Sequence, residues 1–206
     1  DASGNCDLAA PAGAEIAEES FEPVVQGAGL SPIIPNLDVT NNDYNFILDE
    51  DVFDTTRAFV QAHHKFAGHF DYAQMVNTRE RRRIIGDIYL QPQDFYAYRK
   101  YSDTITIARS NFDTHGYIIS PMFMLKAPTK DVFMVKVPLR AMIPVGLENL
   151  LVTGLGVSAH RDCIPVIRMQ PDLHNQGYAA GLAAAMSAKT KKKIRDIKVK
   201  ELQKKL

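Results

Sequence analysis

A helix built from very small residues constrains this chain more than any other feature. Gln176–Lys189 reads Gln-Gly-Tyr-Ala-Ala-Gly-Leu-Ala-Ala-Ala-Met-Ser-Ala-Lys, and its six alanines supply helix propensity. Gly177 and Gly181 lie four apart, so they share one face and leave it nearly flat. A glycine inside a helix costs about 1 kcal/mol relative to alanine. That cost predicts a close neighbour on the flat face, either a sheet or a planar ligand. Upstream, Asn149–Thr153 is a short, mostly apolar run stopped by Gly154 and Gly156, which suits a strand buried on both faces. Strand, glycine turn, polar loop and helix thus form one unit across 149–189. The helix N-terminus is expected near Asn175–Gly177, with Asn175 or Asp172 as cap. It presents free amides and about half a positive charge. That end suits an anionic or electron-accepting group. A βα unit whose glycines only solve packing is the competing reading.

The rest of the chain is mixed. Acids Asp49–Asp51 introduce a helical repeat of Val52, Phe53, Thr56, Phe59, Val60, His63 and Phe66. Arg82–Leu90 reads as a strand, and Gln91-Pro92 as a helix start. Residues 104–112 and 132–137 read as further strands, the second ended by Pro138. Met122, Met124, Met134 and Met142 are expected to fill core gaps. Ile194, Ile197, Leu202 and Leu206 suggest a terminal packing element. No apolar run approaches the roughly 18 residues needed to span a bilayer. Cys6 and Cys163 are too few for a disulfide framework or a cysteine zinc site. Among 206 residues Lys plus Arg balance Asp plus Glu at 24 each, so there is no global case for nucleic acid. The charge is uneven, however. Residues 1–56 hold twelve acids and no Lys or Arg, whereas 189–205 is lysine-rich. A solvated helix face explains that tail best, ahead of a polyanion-binding surface.

Four ordered stretches resemble the FAD-dependent oxidoreductase family, whose fold is related to glutathione reductase and fumarate reductase. Asp1-Ala-Ser-Gly-Asn-Cys-Asp resembles its turn after an FAD-domain strand. Arg79-Glu80-Arg81-Arg82-Arg83-Ile84-Ile85-Gly86-Asp87 resembles its Arg-Glu-x-Arg-Arg-x-x-Gly block, and Asp113-Thr114-His115 its Asp-x-His block. Residues 149–189 resemble its C-terminal flavin-binding segment. Three departures stand out. Asn5 and Cys6 replace an acid-glycine pair, and Leu155 stands where Arg is common. The strand and Gly-x-Gly-x-x-Gly that cradle the pyrophosphate are not in these residues.

The resemblance implies an α/β chain: part of a Rossmann-type FAD-binding domain plus an inserted α+β substrate domain, completed by another chain. Residues 1–20 and 141–189 would belong to the FAD domain, 21–140 to the substrate domain and 190–206 to a basic tail. The chain would be a processed product, a fragment or one part of a larger polypeptide, in a higher oligomer with an N-terminal partner chain. FAD would be the cofactor, and hydride transfer to or from a small organic substrate the reaction. A non-catalytic flavoprotein-derived structural subunit is the alternative. Ser3, Gly4, Asp7, Gly154, Leu155, Gly156, Gln176, Gly177 and Tyr178 would contact FAD. His115, His160 and Arg161 would carry catalysis. Arg79, Arg83 and Arg168 would clamp substrate, with a buried ion network an equal reading of Arg79, Glu80 and Arg83. No metal is implied.

Overall fold

The computed structural model describes residues 1–17, 81–114, 118–126 and 132–206, together with Ala28, Gly29, Phe53, Thr56, Arg57, Val60, His64, Asn77 and Thr78. The chain divides into two compact units. One comprises Asp1–Glu19, Arg81–Thr114 and Ile118–Leu206; the other comprises Ser20–Glu80 and His115–Tyr117. In the second unit, strands β2 (Ala28–Gly29) and β3 (Asn77–Thr78) pair antiparallel. Phe53, Thr56, Arg57, Val60 and His64 are helical there, as the acidic start and repeat predict.

The first unit carries two antiparallel pairs: β1 (Ile16–Ala17) with β4 (Arg83–Ile84), and β5 (Thr104–Ser110) with β6 (Phe133–Pro138). Helix and strand are mixed, but every named sheet among the described residues is two-stranded. In β6, Phe133, Val135 and Val137 face the core while Met134 stays 45% exposed. That period of two is the signal that identified the strand. Ile105, Ala108, Phe95, Phe123, Leu139 and Met142 complete this part of the core. Met142 fills it as expected, but Met124 is 61% exposed and Met134 sits on the outer strand face.

Helix α1 (Pro92–Tyr96) begins where Gln91-Pro92 predicts. Pro at the first position needs no N–H, and Asp94 accepts the Gln91 amide at 2.9 Å. The strand expected over 82–90 is mostly absent. After Ile84 only isolated bridges remain, Gly86 to Pro144 and Leu90 to Ala159. Asn149–Thr153 is not a strand either. Asn149 sits in the left-handed region at φ 57°, which interrupts a ladder, although Leu151 and Val152 are buried.

Helix α4 (Gln170–Thr190) is longer than expected and starts six residues before Gln176. Pro171 falls in its first turn, where its fixed φ suits a helix. Beyond the helix's own backbone, no atom of the described residues lies within 4 Å of a Cβ built at Gly177 or Gly181, so no described strand covers that face. Ala179, Ala180 and Ala183 pack inward instead. Helix α5 (Val199–Gln203) is too short to be stable alone. Leu202 inserts into the core, and Gln203 Nε2 donates to the Ser102 and Thr104 carbonyls. Ile194 and Ile197 are buried as predicted, whereas Leu206 is 46% exposed.

One ion pair braces the β5–β6 end. The Arg140 guanidinium reaches both Asp103 oxygens at 2.9 Å, and the Arg140 amide donates to Oδ2. Burial pushes the Asp103 carboxyl up, but these bonds and the Arg140 charge outweigh it and hold it below its ordinary value. A depressed carboxyl stabilises the fold above its unfolded pKa of about 3.9 and loses that contribution as pH falls through the folded value. Asp103→Asn should therefore lower stability at neutral pH by about 1 kcal/mol, since Arg140 is half exposed. In urea titrations its deficit should shrink as pH falls below 4 and vanish in strong acid.

Candidate functional site

Stretches far apart in sequence converge in the first unit. The opening turn organises itself. Asp1 Oδ1 accepts the Ser3 amide, and its Oδ2 accepts those of Leu8 and Ala9 at 3.0 and 2.9 Å. Ser3 Oγ accepts the Asn5 and Asp7 amides. Gly4 takes φ 81°, a conformation that suits glycine. Asp1 also pairs with the later segment: its N–H donates to the Leu151 carbonyl, and its carbonyl accepts from the Thr153 amide.

The arginine block lies across this turn. Asn5 Oδ1 accepts the Arg82 amide at 3.2 Å, and Arg82 Nε donates to the Asn5 carbonyl at 3.0 Å. Arg82 Nη2 pairs with Asp7 at 2.9 Å. Cys6 Sγ donates to the Arg82 carbonyl at 3.2 Å. Burial pushes the Cys6 thiol up to about 11, against the pull of the Arg82 and Arg83 charges, so it stays protonated and unreactive at neutral pH. Asn5 and Cys6, the residues that depart from the expected acid-glycine pair, thus tie the turn to the arginine block.

The second glycine turn, Gly154–Gly156, is a 3-10 helix packed on the same block. A Cβ at Gly156 would lie 2.7 Å from Cys6 Sγ and 2.9 Å from Val152 Cγ1, so this glycine makes room for Cys6. Gly154 takes φ 83° and has no atom within 4 Å of its Cβ position, so its backbone is open. Leu155 packs on the core. Gly156→Ala should destabilise by about 2 kcal/mol through overpacking. Combining it with Cys6→Gly, which vacates the space and relieves the left-handed φ 57° at that position, should recover more than half of the loss in a denaturation double-mutant cycle.

Beyond the turn, the loop is held from several sides. The Gly86 amide donates to Ser158 Oγ at 2.8 Å, the His160 amide to the Leu90 carbonyl, and Arg83 Nε to the Ala159 carbonyl at 3.1 Å. His160 Nδ1 accepts the Asp162 amide at 3.1 Å and caps the short helix Arg161–Cys163. Arg161 lies in the core at 1% exposure, 3.7 Å from Asp162. Asp162 Oδ2 in turn accepts the Ile119 and Ser120 amides, which fixes the start of helix α2 (Pro121–Leu125). Sequence reasoning passed over Ser158 and Asp162; the position of Asp162 beside a buried arginine was its only signal.

Arg168 Nη2 donates to the Asp113 carbonyl and pairs with its carboxylate at 3.2 Å, which ties Asp113 to the end of the loop. His115 and Arg79 lie outside the described residues. Arg83 is 2% exposed, its Nη1 donating to the Arg81 carbonyl at 2.8 Å. The expected α4 N-terminus at Asn175–Gly177 is corrected to Met169–Gln170, so Gln176, Gly177 and Tyr178 lie within the helix. Gln176 is fully buried, and its Nε2 donates to the Ile167 carbonyl at 2.9 Å. Asp172 does not cap the helix. Its Oδ1 accepts the Arg109 amide of β5, and burial raises its carboxyl against that bond. Tyr178 faces a separate cleft of about 550 Å³ with Asn175, Ile107 and Gln203. No metal-binding cluster occurs among the described residues, and none of their helices is long and apolar enough to cross a membrane.

Residues 41–206 match the model of a family described as FAD dependent oxidoreductase. The chain belongs to that family. Its cofactor is FAD and its chemistry is oxidoreduction, while the turn at 1–10 lies outside the matched stretch. Neither the curated proteins nor the solved structures give a match. The described residues fit a flavin nucleotide at the second turn. Gly154 leaves its backbone open, and beside it the buried Thr153 hydroxyl has no hydrogen-bond partner within the chain.

Proposed function

We propose that this chain is the C-terminal part of an FAD-dependent oxidoreductase that moves hydride between a small organic substrate and flavin. An alcohol or a saturated C–H or C–N bond is the substrate class. The family assignment supports the chemistry, and the observation that carries the site is the convergence of three motifs. Cys6 touches the Arg82 carbonyl, Gly156 makes room for Cys6 and Val152, and Arg83 holds Ala159. Residues of 1–7, 82–86 and 154–161 thus share one small volume.

In this reading Ser3, Gly4 and Asp7 approach the adenosine side of FAD, and Thr153, Gly154, Leu155 and Gly156 the flavin side. FAD supplies the electron-pair acceptor. The protein orients it and tunes it. The positive end of α4, at Gln170–Asp172, favours the negative charge of reduced flavin, and Gln176 keeps Ile167 and the helix in place. His160, Arg161 and His115 are the candidates for catalysis in this reading, the histidines as acceptors of a substrate proton. Arg79 and Arg168 bind an anionic or polyhydroxylated substrate. Residues 1–20 and 141–189 serve the FAD domain, 21–140 the substrate, and 190–206 form a basic tail. A partner chain contributes the Gly-x-Gly-x-x-Gly half of the nucleotide fold, within a higher oligomer.

The test is to purify the native assembly through this chain and sequence every component. The expected result is a companion bearing Gly-x-Gly-x-x-Gly and a visible flavin band bleached by reductant. A fully assembled but colourless complex would instead identify a structural subunit.

A further inference from the structure

We infer that Arg83 is a buried cation without a counter-charge that raises the electron affinity of the flavin at the second glycine turn; this rests on the flavin reading above. Arg83 is 2% exposed, and its two hydrogen bonds go to neutral carbonyls, Ala159 at 3.1 Å and Arg81 at 2.8 Å. Its Nη2 is buried with no partner. Other arginines of this unit have carboxylates: Arg82 has Asp7, Arg161 has Asp162, Arg168 has Asp113 and Arg140 has Asp103. Removing a charge from water without a counter-ion is costly. A fold keeps such a group where another negative charge completes it.

The location indicates which charge that is. The residue before Arg83 accepts the Cys6 thiol through its carbonyl, and that carbonyl lies 3.7 Å from a Cβ placed at Gly156. Arg83 itself reaches Ala159, three residues past Gly156. The guanidinium is thus held against the loop that follows the second glycine turn, and its charge is felt at the Cys6 thiol of the first. Its buried Nη2 cannot touch a substrate unless Arg83 leaves the core, so a field effect is the role open to it. A fixed charge in a low-dielectric interior acts strongly on a ring that gains negative charge on reduction, and needs no reorganisation to do so.

The test compares the flavin midpoint potential, the flavin-to-protein ratio and the thermal midpoint in the native assembly for wild type, Arg83→Lys, Arg83→Met and Arg83→Gln. The glutamine keeps amide donors for the two carbonyls but carries no charge. Both neutral variants should retain flavin while the equilibrium constant for its two-electron reduction falls about tenfold, a shift of about 30 mV to lower potential. Arg83→Lys should stay near wild type. A flavin-loaded neutral variant with unchanged potential would overturn the inference and leave the flavin reading intact. Should Arg83→Met not fold, Arg83→Gln decides alone, and loss of flavin from both neutral variants counts against a purely electrostatic role. A wild-type assembly without flavin would sink the reading itself.

Discussion

Replacing Gly86 by alanine should cost about 3 kcal/mol of stability, among the larger effects of a single methyl group in this chain. The added Cβ would lie 2.8 Å from Ser158 Cβ, 3.0 Å from the Arg140 carbonyl and 3.1 Å from the Ile143 carbonyl. Two of these three are backbone atoms, which cannot rotate away. The Arg140–Ile143 segment is itself tied down, by Asp103 and by the bond from the Asp87 amide to the Ile143 carbonyl. Relief would have to come from Ser158, whose hydroxyl accepts the Gly86 amide. Moving Ser158 shifts the Gly154–Gly156 turn that precedes it. Equilibrium urea unfolding should show the loss, and flavin retention should fall with it. A variant as stable as the parent would mean that these segments are not packed closely at Gly86.

Asp162→Ala should be costlier still, about 3–5 kcal/mol. The carboxylate is 1% exposed and accepts the Ile119 and Ser120 amides at 2.9 and 2.6 Å. Its loss leaves two buried donors unsatisfied and strips the nearby Arg161 charge of its carboxylate neighbour. Asp162→Asn keeps an acceptor oxygen but not the charge, and should fall between alanine and wild type. Adding Arg161→Met to Asp162→Ala should restore part of the stability, because the buried charge that lost this carboxylate goes with it. If the double variant is no better than Asp162→Ala, the amide bonds alone carry the effect. Thermal unfolding of the four proteins separates these outcomes.

Local features of the fold were legible where one physical rule dominated. Alternation in Phe133–Val137 identified β6, and Gln91-Pro92 marked the start of α1. Where two rules competed, the reading went astray. The polar loop before Gln176 points to a helix start near Asn175–Gly177, but Pro171 suits a first turn and α4 begins at Gln170. The run 82–90 is apolar enough for a strand, but Gly86 is there for close packing against 140–143 and 158, which pattern cannot reveal. Arginines default to the surface, so nothing in the pattern signalled the burial of Arg161, whereas burial was one of the two readings of Arg83. The motifs of the candidate site were visible as separate stretches. Their meeting was not, since the bonds joining them span 75 to 77 residues or more.

The enclosed thiol of Cys6 offers a built-in gauge of how often this region breathes. Both cysteines are buried, and the Cys6 proton is held up to about pH 11. An alkylating dye should therefore modify Cys6 only during brief excursions that pull the opening turn off the arginine block. Its labelling rate, measured with Cys163 replaced by alanine, would report the frequency of that separation. Ligands that clamp the two loops together should slow the reaction in proportion to their occupancy, giving a binding assay that needs neither colour nor turnover.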